Sequence, residues 1–246
     1  MFWFVGGVAE PGWSTGVWAR PREQMTTEIL DAAREQLAEQ GAGGLSLRAV
    51  AREVGMVSSA IYRYFDSRDA LLTALVTDAY NSLGEAVESA EGSVSREDLL
   101  GRWRATATTV RTWALDNPHL YALVYGSPVP GYAAPQETVG PASRVTRVLA
   151  VLLADIARTT PDDPSPSTAS LPVRVKQAMI GLREFLGPEV PGALAMRGVM
   201  AWTSVFGAVS FELFGQLENS IDPDGRGDFF DAAIDALGSW LGVSPP

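Results

Sequence analysis

Between Ser46 and Arg68 the chain gathers three groups of residues: the arginines Arg48, Arg63 and Arg68, the tyrosines Tyr62 and Tyr64, and the slim run Ser58, Ser59 and Ala60. Guanidinium groups and phenolic hydroxyls suit phosphate oxygens, and a slim leading end lets a helix reach base edges in a groove. This is the chemistry of a nucleic-acid surface. The formal net charge of −10 opposes such a partner. The charge is unevenly spread, however: within 43–65, Arg48, Arg52 and Arg63 face only Glu53, a local net of +2. A positive field can therefore sit on an acidic body.

Other chemistries are weakly supported. Without cysteine there is no disulfide, thiolate metal site or cysteine nucleophile, and the single His119 cannot build a histidine metal cluster. No metal and no cofactor is expected. His119 follows Pro118 at a helix start with no nucleophile pattern beside it, and reads as a partly exposed residue. Gly6-Gly7 and Gly41 to Gly44 lack the strand and lysine of a phosphate loop. Glu212, Glu218, Asp222, Asp224 and Asp228 lack calcium-loop spacing and read as solvated surface.

The elements around the basic cluster follow from apolar spacing. A helix is expected from Thr26, with Met25, Ile29, Ala32, Ala33 and Leu37 on one stripe, stopped by Gly41 to Gly44. Ser46 should N-cap a short second helix that turns Leu47, Val50, Ala51 and Val54 inward, and Gly55 should close it in a left-handed turn. Ser58 should cap a third helix with Ile61 and Phe65 on its inner face, Ala51 and Val57 letting the two helices approach. Asp66 or Ser67 then caps a long fourth helix carrying Leu71, Leu72, Leu75, Val76, Ala79 and Leu83. Two short helices joined by a glycine turn behind a supporting helix can push a recognition helix into the major groove. The same spacing also describes a plain core hairpin, so residue identity has to decide.

The run Ser46-Leu47-Arg48-Ala49-Val50-Ala51-Arg52-Glu53-Val54-Gly55-Met56-Val57-Ser58-Ser59-Ala60-Ile61-Tyr62-Arg63-Tyr64-Phe65-Asp66-Ser67-Arg68-Asp69-Ala70-Leu71-Leu72 resembles the DNA-binding region of the tetracycline-repressor family almost throughout. The resemblance reaches back through Ile29-Leu30-Asp31-Ala32-Ala33 and Gly41, covering about 28–76. It implies Ser46 and Arg48 on phosphates, Ser58, Ser59, Ala60 and Arg63 near bases, and Tyr62, Tyr64 and Arg68 on the duplex backbone. Residues 1–21, Gly- and Trp-rich and without a period, read as an N-terminal tail, and the resemblance further implies a helix-turn-helix domain over 22–66 and a ligand-binding and dimerisation domain over 67–246. The expected protein is a ligand-responsive repressor, not an enzyme, acting on double-stranded DNA as a homodimer.

Beyond Gly92, helices are expected at roughly 96–116, 118–125, 138–158, 172–186, 192–218 and 227–242, with no period-2 segment, so the fold class is all-α. The stretch 159–170 is a Pro/Ser/Asp linker. Asn117-Pro118-His119-Leu120-Tyr121 and Ala201-Trp202-Thr203-Ser204-Val205-Phe206-Gly207 resemble a family branch with a Trp-x-x-x-His-Gly signature, Phe206 standing where that branch has histidine.

Trp103, Trp113, Tyr121, Tyr125, Phe185 and Phe206 are the candidate wall of a site for a small apolar or aromatic effector, with Arg104, Arg111 and Arg183 as polar anchors. A homodimer is expected through 192–218 (Met200, Ala201, Trp202, Val205, Val209, Leu213) and 227–242 (Phe230, Ile234, Leu237, Leu241). The apolar opening at Met1 lacks a basic n-region, and Gly198 to Phe211 is uncharged but short of the roughly 20 residues a bilayer needs. A cytoplasmic protein with no membrane partner is expected.

Overall fold

The structure, a computed structural model, describes residues 16–159 and 172–243, with side chains from residue 22 onward. Trp3, Trp13, the ring of Trp18 and all but the first residue of the 159–170 linker lie outside the described residues. Every regular element described is helical, as the all-α reading requires. The chain forms two compact units, Met1–Leu71 and Leu72–Pro246.

In the first unit, α1 (Gly16–Gly44) starts well before Thr26, because Ala19, Arg20, Arg22, Glu23 and Gln24 are good helix formers that extend it backward. Its buried stripe is Ile29, Ala32, Ala33 and Leu37, and Gly41 breaks it at φ 68°. Leu47, Val50 and Ala51 of α2 (Leu47–Glu53) close on that stripe together with Leu45, Ile61, Phe65 and Leu71. At the end of α2 the Met56 N–H donates to Ala51 O at 2.7 Å and the Gly55 N–H to Arg52 O at 3.2 Å. This double closure requires a left-handed residue, and Gly55 supplies it at φ 69°.

The expected third helix differs. Residues 58–60 form a turn and only Ile61–Arg63 is helical, as a 3₁₀ turn whose Arg63 N–H and Tyr64 N–H each bond three residues back. Val57, Ser58, Ser59 and Ile61 have weak helix propensity, and so short a segment cannot propagate an α-helix by itself. Ile61 and Phe65 are nonetheless buried as their spacing demands. Ser67 then caps α3 (Arg68–Gly92), its Oγ accepting from the Ala70 N–H at 3.1 Å. This helix begins in the first unit and continues into the second.

The second unit is built around α4 (Leu99–Asp116), which Asp98 caps and which packs on α5 (Pro118–Tyr125), α7 (Arg144–Thr159), α10 (Gly192–Leu213) and α11 (Arg226–Leu241). Trp103 and Trp113 of α4 are buried there with Val110, Tyr121, Val205, Val209, Phe230 and Ile234. Arg102 is fully buried and ion-paired to Glu91 at 2.5 Å and Asp155 at 2.7 Å. Two expected helices are each divided. The 138–158 stretch divides at Ser143 into α6 (Val139–Ala142) and α7, with Thr138 left in a 3₁₀ turn. The 172–186 stretch splits at Met179 into α8 (Val173–Ala178) and α9 (Ile180–Leu186). α10 is long and apolar enough to cross a membrane by composition, yet Leu194, Ala195, Ala201, Val205 and Val209 are buried in this core.

A Cβ at Gly55 would meet nothing within 4 Å, so only backbone strain opposes one. Gly55→Ala should therefore cost about 1–2 kcal/mol, the penalty of a left-handed non-glycine residue. Urea unfolding checks this, and an unchanged midpoint would show that the turn relaxes freely.

Candidate nucleic-acid interface and apolar cavity

The outer surface of the first unit is what its buried stripe leaves over. Arg48 and Arg52 are exposed on α2, and beyond Gly55 the residues Ser58, Ser59, Tyr62 and Arg63 are exposed in sequence, while Ala60 and Tyr64 are half-buried. Val57 is 71% exposed and does not pack against Ala51, contrary to the expectation; it stands beside Ser58 and Ser59 on the outer surface. An exposed pair of methyls there suits the C5-methyl of thymine.

Ser46 occupies the N-cap position of α2 with extended backbone, but its side chain makes no capping bond. Instead the Ser46 N–H donates to Oε1 of Gln36 at 2.6 Å. Gln36 is a buried polar residue of α1 that apolar periodicity could not reveal. Arg68 also has a task the sequence does not announce: its Nε and one terminal nitrogen donate to the carbonyls of Leu45 at 3.1 Å and Ala42 at 2.6 Å, pinning the link between α1 and α2. Arg22 adds a cation to the same surface. Its guanidinium lies 6.0 Å from the Tyr64 ring centroid and donates to the Arg63 carbonyl at 3.3 Å. Being off the apolar stripe, it carried no periodic signal.

Glu53 shares the α2 surface with a second, acidic group. A hydrogen bond that the protonated Glu53 carboxyl donates to Glu35, then desolvation, then the charges of Glu35 and Glu39, hold it above the ordinary carboxylate range.

In the second unit the six candidate rings separate by role. Trp103 and Trp113 are buried with both indole N–H groups satisfied, by Ile234 O at 2.8 Å and Ser82 Oγ at 3.0 Å. Tyr121 is likewise buried, its hydroxyl bonded to Phe206 O and Ser210 Oγ. Tyr125 packs on Tyr121 at 5.0 Å and on Phe206 at 4.5 Å, and burial pushes its hydroxyl well above the usual phenol range. Trp103, Trp113 and Tyr121 form the interior, and the half-buried Tyr125 and Phe206 pack against it.

A cavity of about 300 Å³ lies between α7, α9 and α10, and of the six rings only Phe185 lines it, beside Leu149, Leu153, Leu182, Leu186 and Trp202. Gly198 belongs to its wall, and a Cβ there would collide with Leu153. None of the expected anchors lines it. Arg104 pairs with Asp235, Arg111 pairs with Glu212 and lies over the Phe230 ring at 5.5 Å, and Arg183 is exposed.

The apolar surplus on α10 and α11 is real but composed differently from the expectation. Ala201, Val205, Val209, Phe230, Ile234 and Leu241 are consumed by the core, and Trp202, Leu213 and Leu237 are half-buried. Met200 is exposed as anticipated, joined by Phe211, Phe214, Phe229 and Trp240.

Comparison with known proteins agrees with both units. Residues 29–75 match the model described as "Bacterial regulatory proteins, tetR family", and residues 103–237 match "Tetracyclin repressor-like, C-terminal domain". The chain is 39% identical over 218 residues to HTH-type transcriptional regulator Rv1816 of Mycobacterium tuberculosis, covering 86% of this chain and 89% of that protein. The crystal structure of regulatory protein SCO4313 superposes with a TM-score of 0.69 at 33% identity, covering 89% of this chain and 97% of that one. Transcriptional regulator FadR from Bacillus subtilis, solved in complex with stearoyl-CoA, shares the fold at TM-score 0.54 and 13% identity, covering 86% of this chain and 96% of that one.

Two substitutions separate contact from support. Tyr62→Ala removes a ring that is 48% exposed, and should weaken binding to every duplex while leaving the melting temperature within a degree or two. Arg68→Ala should lower stability by about 1–2 kcal/mol, since it strands two carbonyls. Equal effects of the two on unfolding would remove the distinction. For Glu53 the raised folded-state value means protonation favours the native state, so that contribution is present at low pH and lost as pH rises through the folded value. Glu53→Gln should therefore raise the melting temperature at pH 7, the gain vanishing below about pH 4; a gain independent of pH would assign the effect to something other than charge.

Proposed function

The chain belongs to the tetR family of bacterial regulatory proteins, DNA-binding transcription regulators and not enzymes, and on that premise we propose that it is a cytoplasmic repressor binding a palindromic operator as a homodimer, released by a small apolar or aromatic effector. One observation carries the proposal. Ser58, Ser59, Tyr62 and Arg63 are exposed on a segment whose Ile61 and Phe65 are buried, so donors and slim residues share one outward face. Arg48 and Ser46 at the start of α2 and Arg22 on α1 add donors for phosphates, while Ser58, Ser59 and Val57 are the residues for base edges. Ala60 and Tyr64 flank them, and Arg68 contributes mainly by holding the fold.

The homodimer reading draws on Met200 and Phe211 of α10, Phe214 just past its end, and Phe229 and Trp240 of α11, an exposed apolar set that a four-helix interface would cover. The effector reading draws on the cavity of the second unit and on the stearoyl-CoA bound by the Bacillus subtilis regulator of the same fold. Effector control requires tighter binding to the DNA-incompetent state. A coupling of about 1–3 kcal/mol would change duplex affinity roughly 5- to 150-fold. α3, continuous between the units, is the covalent route for it.

Selection of duplexes from a random pool tests the proposal. The expected product is an inverted repeat with half-site centres about 34–36 Å apart, bound less tightly as salt rises from about 50 to 200 mM. Phe211→Glu, on an exposed position, should give a monomer by light scattering and lose the inverted repeat while keeping its helical spectrum. Enrichment of asymmetric sequences, or a monomeric wild-type protein that still selects the repeat, would overturn the homodimer reading.

A further inference from the structure

Val57 is a side chain of the outward segment that the fold itself does not use. It is 71% exposed, and among the described residues of the first unit the only other exposed large apolar or aromatic side chain is Tyr62, on the same segment. A lone exposed valine is ordinary on a surface without a task. This one is held in place on both sides. Just before it the Met56 N–H donates to Ala51 O at 2.7 Å, and its own carbonyl accepts from the Ala60 N–H at 2.8 Å. Branching at Cβ restricts χ1, so its two methyls have few directions to take. Ser58 and Ser59 follow it, both exposed, ahead of Tyr62 and Arg63. A fixed apolar group therefore leads a row of hydrogen-bonding side chains.

What a valine can recognise on a duplex is narrow. It neither donates nor accepts, so it cannot read N7 or O6 of guanine, the amine of cytosine or the amine of adenine. The base edges of the major groove offer one apolar group, the C5-methyl of thymine. Cytosine methylated at C5 presents the same group at the same ring position. Taking one such methyl out of water against an aliphatic side chain changes affinity about fourfold, the value of one buried methylene.

We propose that Val57 reads a 5-methylpyrimidine in each half-site: thymine in an unmodified duplex, and 5-methylcytosine where a cytosine stands at that position. Affinity for the duplex is then sensitive to cytosine methylation. The assignment rests on the DNA-binding reading above and is independent of any effector.

The test uses the full chain and the duplex recovered from the random pool. Each thymine of a half-site is replaced in turn by deoxyuridine, which removes the C5-methyl and keeps the pairing edge. At one position the wild-type protein should lose about fourfold in affinity, and Val57→Ala should lose nothing. Because the position is exposed, Val57→Ala should keep the melting temperature and the salt dependence of the wild type. At the same position a C·G pair carrying 5-methylcytosine should bind the wild-type protein about fourfold more tightly than the unmethylated pair, and Val57→Ala should not distinguish the two. The methylation pair needs only wild-type protein, so it stands even if Val57→Ala folds poorly. Deoxyuridine felt at no position, an equal loss in Val57→Ala, or indifference to cytosine methylation would each overturn the assignment and leave salt-sensitive binding intact. A chain that enriches no duplex removes the assignment together with the reading it rests on.

Discussion

A guanidinium with no accessible surface has to be met by charge, and Arg102 is met from two directions. Glu91 at the end of α3 and Asp155 near the end of α7 accept from it, and Arg96 and Arg158 close the outer side of the cluster on the same acids. Such a network is no guarantee of stability, because the desolvation of three or more ions offsets much of their attraction. What it does impose is register: α3, α4 and α7 can slide past one another only by stranding a charge. Leu149 and Leu153 on α7 thereby acquire fixed positions, and the cavity they line inherits them.

The first unit solves the complementary problem of holding a surface open. A segment with so few inward residues, Ile61 and Phe65, would fray if its neighbours were not tied down. Five bonds to the backbone, at three places, do this: one from the Ser46 N–H at the α2 entry to Gln36, the two of the closure around Gly55, and the two from Arg68 to the carbonyls behind. Each satisfies a main-chain group that a tight turn leaves without a partner. The exposed side chains are then free of structural duty.

How far this could be read from the sequence depends on which interactions are local. Apolar spacing located Ile29 to Leu37, Leu47 to Ala51, and Ile61 with Phe65, because burial imposes periodicity directly on residue order. Gly55 and the Pro118 start of α5 were legible for the same reason, as each acts on its own backbone. The misplacements involve partners distant in sequence. Nothing near Ser46 signals that its N–H donates to Gln36, and nothing near Arg68 signals Ala42 and Leu45. Composition identified aromatic wealth in the second unit but not which face of each helix bears it. Trp103, Trp113 and Tyr121 therefore turned out to be interior while Phe185 lines the cavity. Trp202 on α10 stands at its wall as well.

The collision that a side chain at Gly198 would suffer against the buried Leu153 favours a glycine in mid-helix where α10 meets α7. Glycine there loosens the helix by about 1 kcal/mol relative to alanine. The turn running from Gly198 to Trp202 is consequently a weak point in local opening, and its amides should exchange with solvent ahead of those deeper along α10, near Val205 and Val209. A wall that breathes at one turn is a hinge: the residue that lets the two helices meet also sets how far the cavity between them can widen.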